Sequence, residues 1–545
     1  MRNALIDALL RPDVWSDISN EPVDAVERIE THASWVLLAG DTALKIKKPV
    51  DFGFLDFSTL QRRLHFCEEE IRLNRRTAPM IYRDVVAITG TAEAPRIAAI
   101  DEAAAEGKGQ AIEYAVRMHR FDPDAGFDRL LADGQLSSTD IDDLARQLAA
   151  LHRGSAVAPP DGRYGTWRAV AEPMLDNFDS LAAHIDDPRL NALRRWTVEQ
   201  LHRLNPVIEQ RLQRGFVREC HGDAHLGNVA RIEGRATLFD CIEFNPEFRW
   251  TDVVCDLAFT VMDLRDRGSD ALSWRMLDVW LAESGDHDGL RLLPLYTVYR
   301  AMVRAKVQAL RLAEDEIDRA AVLAQVGAYL DLAEQIRDEQ RPALLITHGL
   351  SGSGKSWLAE RLVEQVGLIR IRSDIERKRL HGLGSHSRSS AGLDAGIYSA
   401  EASRRTYRKL LELARPALET GIPVLIDAAF LKQAQREPFQ KRAEALGVPF
   451  GILECQADPA TLARRIEARA RTGNDPSDAD LEVLEKQQTA AAPLTAAEHA
   501  NALSIETAQP VAVERASVWI RALIGQGSAV RGGGPTSHPD RPSTD

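Results

Sequence analysis

Two stretches of this 545-residue chain have residue types and spacings suited to moving phosphate. One is Gly349-Leu350-Ser351-Gly352-Ser353-Gly354-Lys355-Ser356, which follows the apolar run Leu344-Leu345-Ile346 and precedes the helix-like Trp357-Leu358-Ala359-Glu360-Arg361-Leu362. Strand, glycine-rich loop and helix in that order let backbone N–H groups close around phosphate oxygens, while the helix N-terminus adds positive potential. Lys355 can reach the outer phosphates and the Ser356 hydroxyl can hold Mg²⁺. The ligand this pattern implies is ATP, through the eight residues Gly349, Leu350, Ser351, Gly352, Ser353, Gly354, Lys355 and Ser356.

The other stretch lies more than a hundred residues upstream, at His221-Gly222-Asp223-Ala224-His225-Leu226-Gly227-Asn228, with Leu238-Phe239-Asp240 after a short strand. Phosphoryl transfer needs a group that orients or deprotonates the acceptor hydroxyl, metal ligands that neutralise the phosphates, and a lysine for the α- and β-phosphates. Asp223 fits the first role, Asn228 with Asp240 the second, and Lys45 the third. The helix partner expected for Lys45 is Glu70, with Glu69 as the alternative. Lys47 shares a strand face with Lys45, so spacing alone leaves either lysine open. His221 and His225 lack a third ligand at metal-binding spacing and read as loop-packing residues. Arg300 and Arg304, one helical turn apart, either grip an anionic acceptor or form a solvated helix face.

The elements that must position these residues can be read from periodicity. Residues 1–20 read as a short amphipathic helix and a turn. Val26–Glu30, Trp35–Leu38 and Ala43–Lys47 alternate as strands with breaks near His32-Ala33-Ser34 and Gly40-Asp41, giving a three-stranded antiparallel start. A charged helix is expected from Leu60 to Arg76, then strands at Val85–Ile88 and Glu113–Met118. Ile141, Leu144, Leu148 and Leu151 recur at helical spacing, and most of 170–214 and 253–338 reads the same way. Pro342 ends the last of these helices. Beyond it, strands at 344–348, 368–372, 424–426, 450–453 and 502–506 alternate with helices, the signature of a parallel α/β sheet.

In that second half Asp427, ending Val424-Leu425-Ile426, is the candidate metal-supporting acid, and Asp374 in Ser373-Asp374 faces the expected acceptor position. Arg464, Arg465, Arg469 and Arg471 read equally as a phosphate-covering lid or as an ordinary basic helix face. Lys47-Lys48-Pro49-Val50-Asp51-Phe52-Gly53-Phe54-Leu55-Asp56-Phe57 is an insertion between strand and helix, either a structural loop or a lid. Its Asp51-Phe52-Gly53 precedes the Asp223 loop and is a decoy for a kinase metal motif.

His221-Gly222-Asp223-x-His225-x-x-Asn228, Asp240 and the helix-borne Leu148-x-x-Leu151-His152 resemble the aminoglycoside phosphotransferase family of the protein-kinase-like superfamily, over roughly residues 25 to 310. The resemblance implies Asp223 as catalytic base and Asn228 and Asp240 as Mg²⁺ ligands. The chain departs from protein kinases in lacking a G-x-G-x-x-G loop. Residues 343 to about 520, through the phosphate loop and Ser373-Asp374, resemble small P-loop kinases of the gluconate-kinase, zeta-toxin and polynucleotide-kinase type. The order of the two halves resembles bacterial fusions described as bifunctional aminoglycoside phosphotransferase and ATP-binding proteins. The expected fold is an α+β protein-kinase-like domain over 1–340, with a small antiparallel sheet lobe and a helical lobe. An α/β P-loop NTPase domain with a parallel sheet follows over 341–525, then a disordered tail over 526–545.

Composition narrows the partners. With 44% hydrophobic and 27% charged residues the chain can build ordinary cores. The net charge of −13 disfavours a sequence-independent nucleic-acid binder. Residues 341–525 hold 25 Lys/Arg against 22 Asp/Glu, so the acidity sits in the first half and a nucleic-acid 5′-kinase in the second is disfavoured. No stretch approaches the roughly 18 uninterrupted apolar residues of a membrane span. Asp7 cuts the first apolar stretch, which argues against a signal peptide. Five scattered cysteines form no C-x-x-C pair, as expected in a reducing cytoplasm. The expected partner is a small hydroxylated acceptor such as a sugar or an aminoglycoside-like molecule. The rival reading makes the first half an ATP-binding regulatory module for an active P-loop kinase.

Overall fold

Alternating apolar residues between Val26 and His119 build a six-stranded antiparallel sheet in a computed structural model that describes residues 2–16, 18, 22–100, 110–314, 317–384, 396–472 and 480–531. Its strands are β1 (Val26–Glu30), β2 (Ser34–Ala39), β3 (Thr42–Lys47), β4 (Tyr82–Gly90), β5 (Pro95–Ala99) and β6 (Glu113–His119), in the order β1-β2-β3-β6-β4-β5. Residues Leu37, Leu44, Ile46, Val86 and Ile88 meet Leu5, Leu9 and Trp15 of the N-terminal segment in one core. The helix Leu60–Asn74, capped by Thr59 on Arg62 N–H, lays Cys67 and Ile71 against Ile81, Tyr82 and Val116. That packing fixes which helix face meets β3, and with it the direction of Glu70.

Downstream come helices and two short antiparallel ribbons. One pairs β7 (Val217–Glu219) with β10 (Trp250–Asp252), the other β8 (Val229–Ile232) with β9 (Arg235–Leu238). Val229 faces Leu238 in the second ribbon, so the residues just outside it, Asn228 and Phe239-Asp240, are brought side by side. Helix Ser138–Gly154 begins with a capping box between Ser137 and Asp140 and buries Ile141, Leu144, Leu148 and His152.

The second sheet has five strands, all parallel: β11 (Leu344–His348), β12 (Ile369–Arg372), β13 (Val424–Asp427), β14 (Phe450–Gln456) and β15 (Ala502–Glu506). Their order is β12-β13-β11-β14-β15, which places β11 at the centre. Every residue of β11 is buried, as befits a strand covered by helices on both faces. An α+β half with an antiparallel sheet is thus followed by an α/β half with a parallel one, the fold class expected from the sequence.

By internal contacts the chain forms two compact units, Met1–Leu190, Thr197–Leu264 and Met302–Ile317 in the first, and Asn191–Trp196, Arg265–Ala301 and Asp318–Asp545 in the second. Inside the second unit, helix Asp270–Ser284 packs near the loop-following helix Lys355–Leu362: Arg275 pairs with Glu360 at 2.9 Å and Glu364 at 3.3 Å. Arg370 of β12 donates two hydrogen bonds to the buried Asp278 at 3.2 and 2.6 Å. The compact units describe packing, whereas the proposed domain limits, 1–340 and 341–525, describe chain order. From residue 532 the expected tail lies outside the described residues; residues up to Arg531 continue the last helix. No helix among the described residues is long and apolar enough to cross a membrane.

Candidate active sites

Strand β3 presents two lysines to one carboxylate. Lys45 Nζ lies 2.9 Å from Glu70 Oε1 and Lys47 Nζ 2.7 Å from Glu70 Oε2. Lys45 continues to Asp240 Oδ1 at 2.5 Å, while Lys47 pairs with Glu243 and sits over the Phe57 ring. The Lys47 side chain is fully buried; that of Lys45 keeps 16% of its surface. Lys45 is therefore the lysine a ligand can reach. Glu69 points elsewhere, to Arg72 and Arg249.

Asp240 adopts φ +60°, a left-handed conformation uncommon outside glycine, and its N–H donates to the Tyr82 hydroxyl at 3.1 Å. The next N–H, of Cys241, donates to Asn74 Oδ1 at 2.8 Å, one turn along the helix from Glu70. Phe239 N–H donates to the Asn228 carbonyl at 3.0 Å, tying the Asp240 segment to the Asp223 loop. Asn228 Nδ2 donates to the Asp223 carbonyl and to Asp223 Oδ2, at 3.0 and 3.1 Å. The amide oxygen of Asn228 is then the end available to a cation, beside the half-exposed Asp240 carboxylate. An oxygen-rich pair of this kind suits Mg²⁺.

His225 Nε2 lies 3.4 Å from Asp223 Oδ2. Burial pushes the Asp223 carboxyl up, but His225, His221 and Arg304 outweigh it and hold it well below the usual carboxylate range. Burial likewise lowers His225, and Asp223 more than reverses this. Asp223 is thus held in its ionised form across the neutral range. Both histidines pack the loop: His221 Nε2 meets the Phe239 carbonyl at 3.0 Å, and His225 tilts against Phe259. Arg300 is buried and lies over the Tyr299 ring, so that position is no solvated face.

What holds the Asp223 loop escaped the sequence reading. Helix Val253–Asp266 is buried along its length, yet carries Asp256, Thr260 and Asp263 at i, i+4 and i+7. Asp256 accepts N–H bonds from His221 at 3.0 Å and Gly222 at 2.8 Å, and a third bond with His152 Nε2 at 3.0 Å. Thr260 donates to the Ala224 carbonyl at 2.6 Å, and Asp263 accepts from Leu226 N–H at 2.8 Å. Burial raises the Asp256 carboxyl, but these partners bring it down to about 2. The readable signal was three polar residues on one face of an otherwise apolar helix.

In the second unit the loop between β11 and helix Lys355–Leu362 is shaped by its glycines. Gly349 has φ +148° and Gly352 φ +81°, and a Cβ at Gly352 would come within 2.7 Å of the Leu462 carbonyl. Lys355 Nζ folds back onto the Gly349 and Leu350 carbonyls at 2.9 and 2.7 Å. Burial lowers its pKa, partly opposed by Asp427 and Asp374. Asp427 ends β13 beside the loop and is buried; its Oδ2 has no hydrogen-bond partner among the described residues and lies 3.7 Å from Arg372 Nε. A buried carboxylate oxygen without a hydrogen-bond partner among the described residues, close enough to act electrostatically on Lys355, fits a Mg²⁺ ligand. Asp374 stands half-buried in the first turn of helix Ser373–Leu380.

The four arginines separate. Arg465 spans Gly352 O at 3.2 Å and Thr507 Oγ1 at 2.8 Å, so it braces the loop. Arg464 donates to Thr461 Oγ1, and Arg471 pairs loosely with Glu467 on an exposed face. Arg469 acts electrostatically on Lys355.

Comparison with known proteins matches these two regions separately. The Phosphotransferase enzyme family profile matches residues 80–293, and the AAA domain profile residues 344–494. An uncharacterised protein of Mycobacterium tuberculosis is 29% identical over 462 residues, covering 84% of this chain and 89% of its own, and one from Mycobacterium bovis aligns equally. Among solved structures, an amicoumacin kinase in complex with AMP-PNP, Ca²⁺ and amicoumacin aligns with 62% of this chain and 92% of its own, at 14% identity and TM-score 0.38. A gluconokinase from Sinorhizobium meliloti aligns with 35% of this chain and 98% of its own, at 21% identity and TM-score 0.25. The chain thus joins an N-terminal domain of the phosphotransferase-enzyme type to a C-terminal P-loop NTPase domain of the AAA type.

Proposed function

We propose that the chain is a Mg·ATP-dependent phosphotransferase with two nucleotide sites, and that the first passes the γ-phosphate to a hydroxyl of a small metabolite. The observation that carries this reading is the linked set Lys45, Glu70, Asp240, Asn228 and Asp223. Lys45, held by Glu70, receives the α- and β-phosphates. Asn228 and Asp240 would hold Mg²⁺, which neutralises phosphate charge when bound. Asp223 accepts the acceptor's hydroxyl proton as the hydroxyl oxygen bonds to the γ-phosphorus and the bond to the ADP oxygen breaks. A carboxyl held so low in pKa orients the hydroxyl and takes its proton late.

For the second site we infer a kinase of the gluconate-kinase or zeta-toxin kind. Its loop and Lys355 would take the phosphates, Ser356 and Asp427 the Mg²⁺, and Asp374 the acceptor side. The matching test is transfer of labelled γ-phosphate to sugars, aminoglycosides and a 5′-hydroxyl oligonucleotide. Asp223→Ala should remove one labelled product with a fall of about 10²- to 10⁴-fold, and Lys355→Ala a different one. Retention of every product in both variants would refute the assignment. Loss only in Lys355→Ala would make the first half a regulatory module.

A further inference from the structure

One backbone N–H of the glycine-rich loop of the second unit is already bonded to a side chain of its own domain. Ser351 N–H donates to Gln487 Oε1 at 2.8 Å. Gln487 lies on helix Leu481–Ala490, whose N-terminus is capped by Asp480 on Val483 N–H. One turn earlier on the same face, Leu484 is buried against Leu462 and Ile466, with Leu350 packed on that cluster. Two successive loop residues, Leu350 and Ser351, thus receive two residues of one helix face, an apolar anchor and a polar tip. The other end of the helix is fixed: Ala492 N–H donates to the Leu431 carbonyl at 2.8 Å, and Arg436 donates to the Ala492 and Pro493 carbonyls at 3.3 and 3.2 Å.

A neutral carboxamide oxygen therefore sits on an amide of the kind that a glycine-rich loop turns toward phosphate. Lys355, on the Gly349 and Leu350 carbonyls, is likewise satisfied from within the loop. A phosphate oxygen makes the stronger, charge-assisted bond to the same N–H, so it wins when present. The carboxamide must then release Ser351, and the turn carrying it can pivot on the Ala491–Pro493 anchor.

We propose that Gln487 is a nucleotide-sensing residue of the P-loop site: it competes with phosphate for Ser351 N–H, and its displacement reports occupancy to helix Leu481–Ala490. This rests on the reading of the loop as a nucleotide site. Nothing in the sequence singles out Gln487 from its neighbour Gln488. The residue is half-exposed on a helix, so replacing it with Ala leaves the core intact.

The test is calorimetric titration of the full chain with Mg·ATP in a Lys45→Met background, which confines binding to the P-loop site. Gln487→Ala should tighten binding about 2- to 10-fold, the equivalent of one net hydrogen bond no longer competing. Gln488→Ala should leave the affinity where it was. Amide exchange in residues 481–490 should quicken on nucleotide saturation in the Lys45→Met protein. Unchanged or weaker affinity in Gln487→Ala, or slower exchange in that helix on saturation, would overturn the proposal. Absence of any binding both with and without Gln487→Ala would instead overturn the nucleotide reading of the loop, and the sensor with it.

Discussion

The two candidate sites are held in opposite ways. In the first unit the site's charged groups are cross-linked: Glu70 pairs with two lysines, although its Oε1 has no hydrogen-bond partner among the described residues, Asp223 is tied to Asn228 and His225, and the Asp223 loop to Asp256, Thr260 and Asp263. In the second, Asp427 Oδ2 and Ser353 Oγ have no hydrogen-bond partner among the described residues, and Ser351 and Lys355 lean on stand-ins from the protein itself. A buried carboxylate that is fully bonded stabilises the fold and is costly to remove. One left open costs stability and is retained for a ligand. The comparison teaches that the first site is cross-linked by its own charged groups, whereas the second keeps Asp427 Oδ2 and Ser353 Oγ without a hydrogen-bond partner among the described residues.

Substitution of one aspartate from each site breaks or sharpens this contrast. Asp256→Ala removes the buried acceptor of His152 Nε2 and of two loop N–H groups and should cost about 3–5 kcal/mol, read as an earlier unfolding transition. Asp427→Asn should leave that transition unchanged or later while abolishing Mg²⁺-dependent tightening of nucleotide at the second site. Acid adds a sign. Asp256 titrates in the fold near 2 against an ordinary value of 3.8, so it binds fewer protons folded than unfolded below pH 4. Its contribution, about 2 kcal/mol by linkage, is present above the ordinary value and is lost as pH falls toward 2. Asp256→Asn should lose that part of the acid slope. Equal stability losses in the Asp256 and Asp427 variants would dissolve the distinction.

A smaller effect separates the two lysines. Lys45→Met should cut transfer at the first site while lowering the unfolding transition less than Lys47→Met does, since Glu70 keeps Lys47 and Asp240 is half-exposed. Lys47→Met strands Glu243 in the interior and should lower stability first. If Lys47→Met retained full stability and lost transfer, Lys47 would be the phosphate lysine.

These cases show what the sequence could carry. Motif spacing located Asp223, Asn228, Asp240 and the phosphate loop because loop chemistry is local. Alternation placed Lys45 and Lys47 on one strand face, but a period of two cannot say which is buried; the helix Leu60–Asn74, Phe57 and Glu243 decide that from outside the strand. Strand β5 was missed because Pro95 opens a run of five residues with little alternation. Asp256, Thr260 and Asp263 were legible as polar breaks in an apolar helix, though their loop partners lie 34 to 37 residues away. Arg465 read equally as a lid residue or as part of an ordinary basic face because a basic helix face carries no mark of where its side chains bond. Gln487 had no signal at all, since a surface glutamine reads the same whether it meets water or a loop amide.

The measurement that bears most directly on two self-sufficient nucleotide sites is the stoichiometry of Mg·ATP binding to the full chain by calorimetry. The account predicts two equivalents for the wild type, one for Lys45→Met, one for Lys355→Ala, and none for the double variant. A single equivalent in the wild type, or loss of both in either single variant, would contradict it.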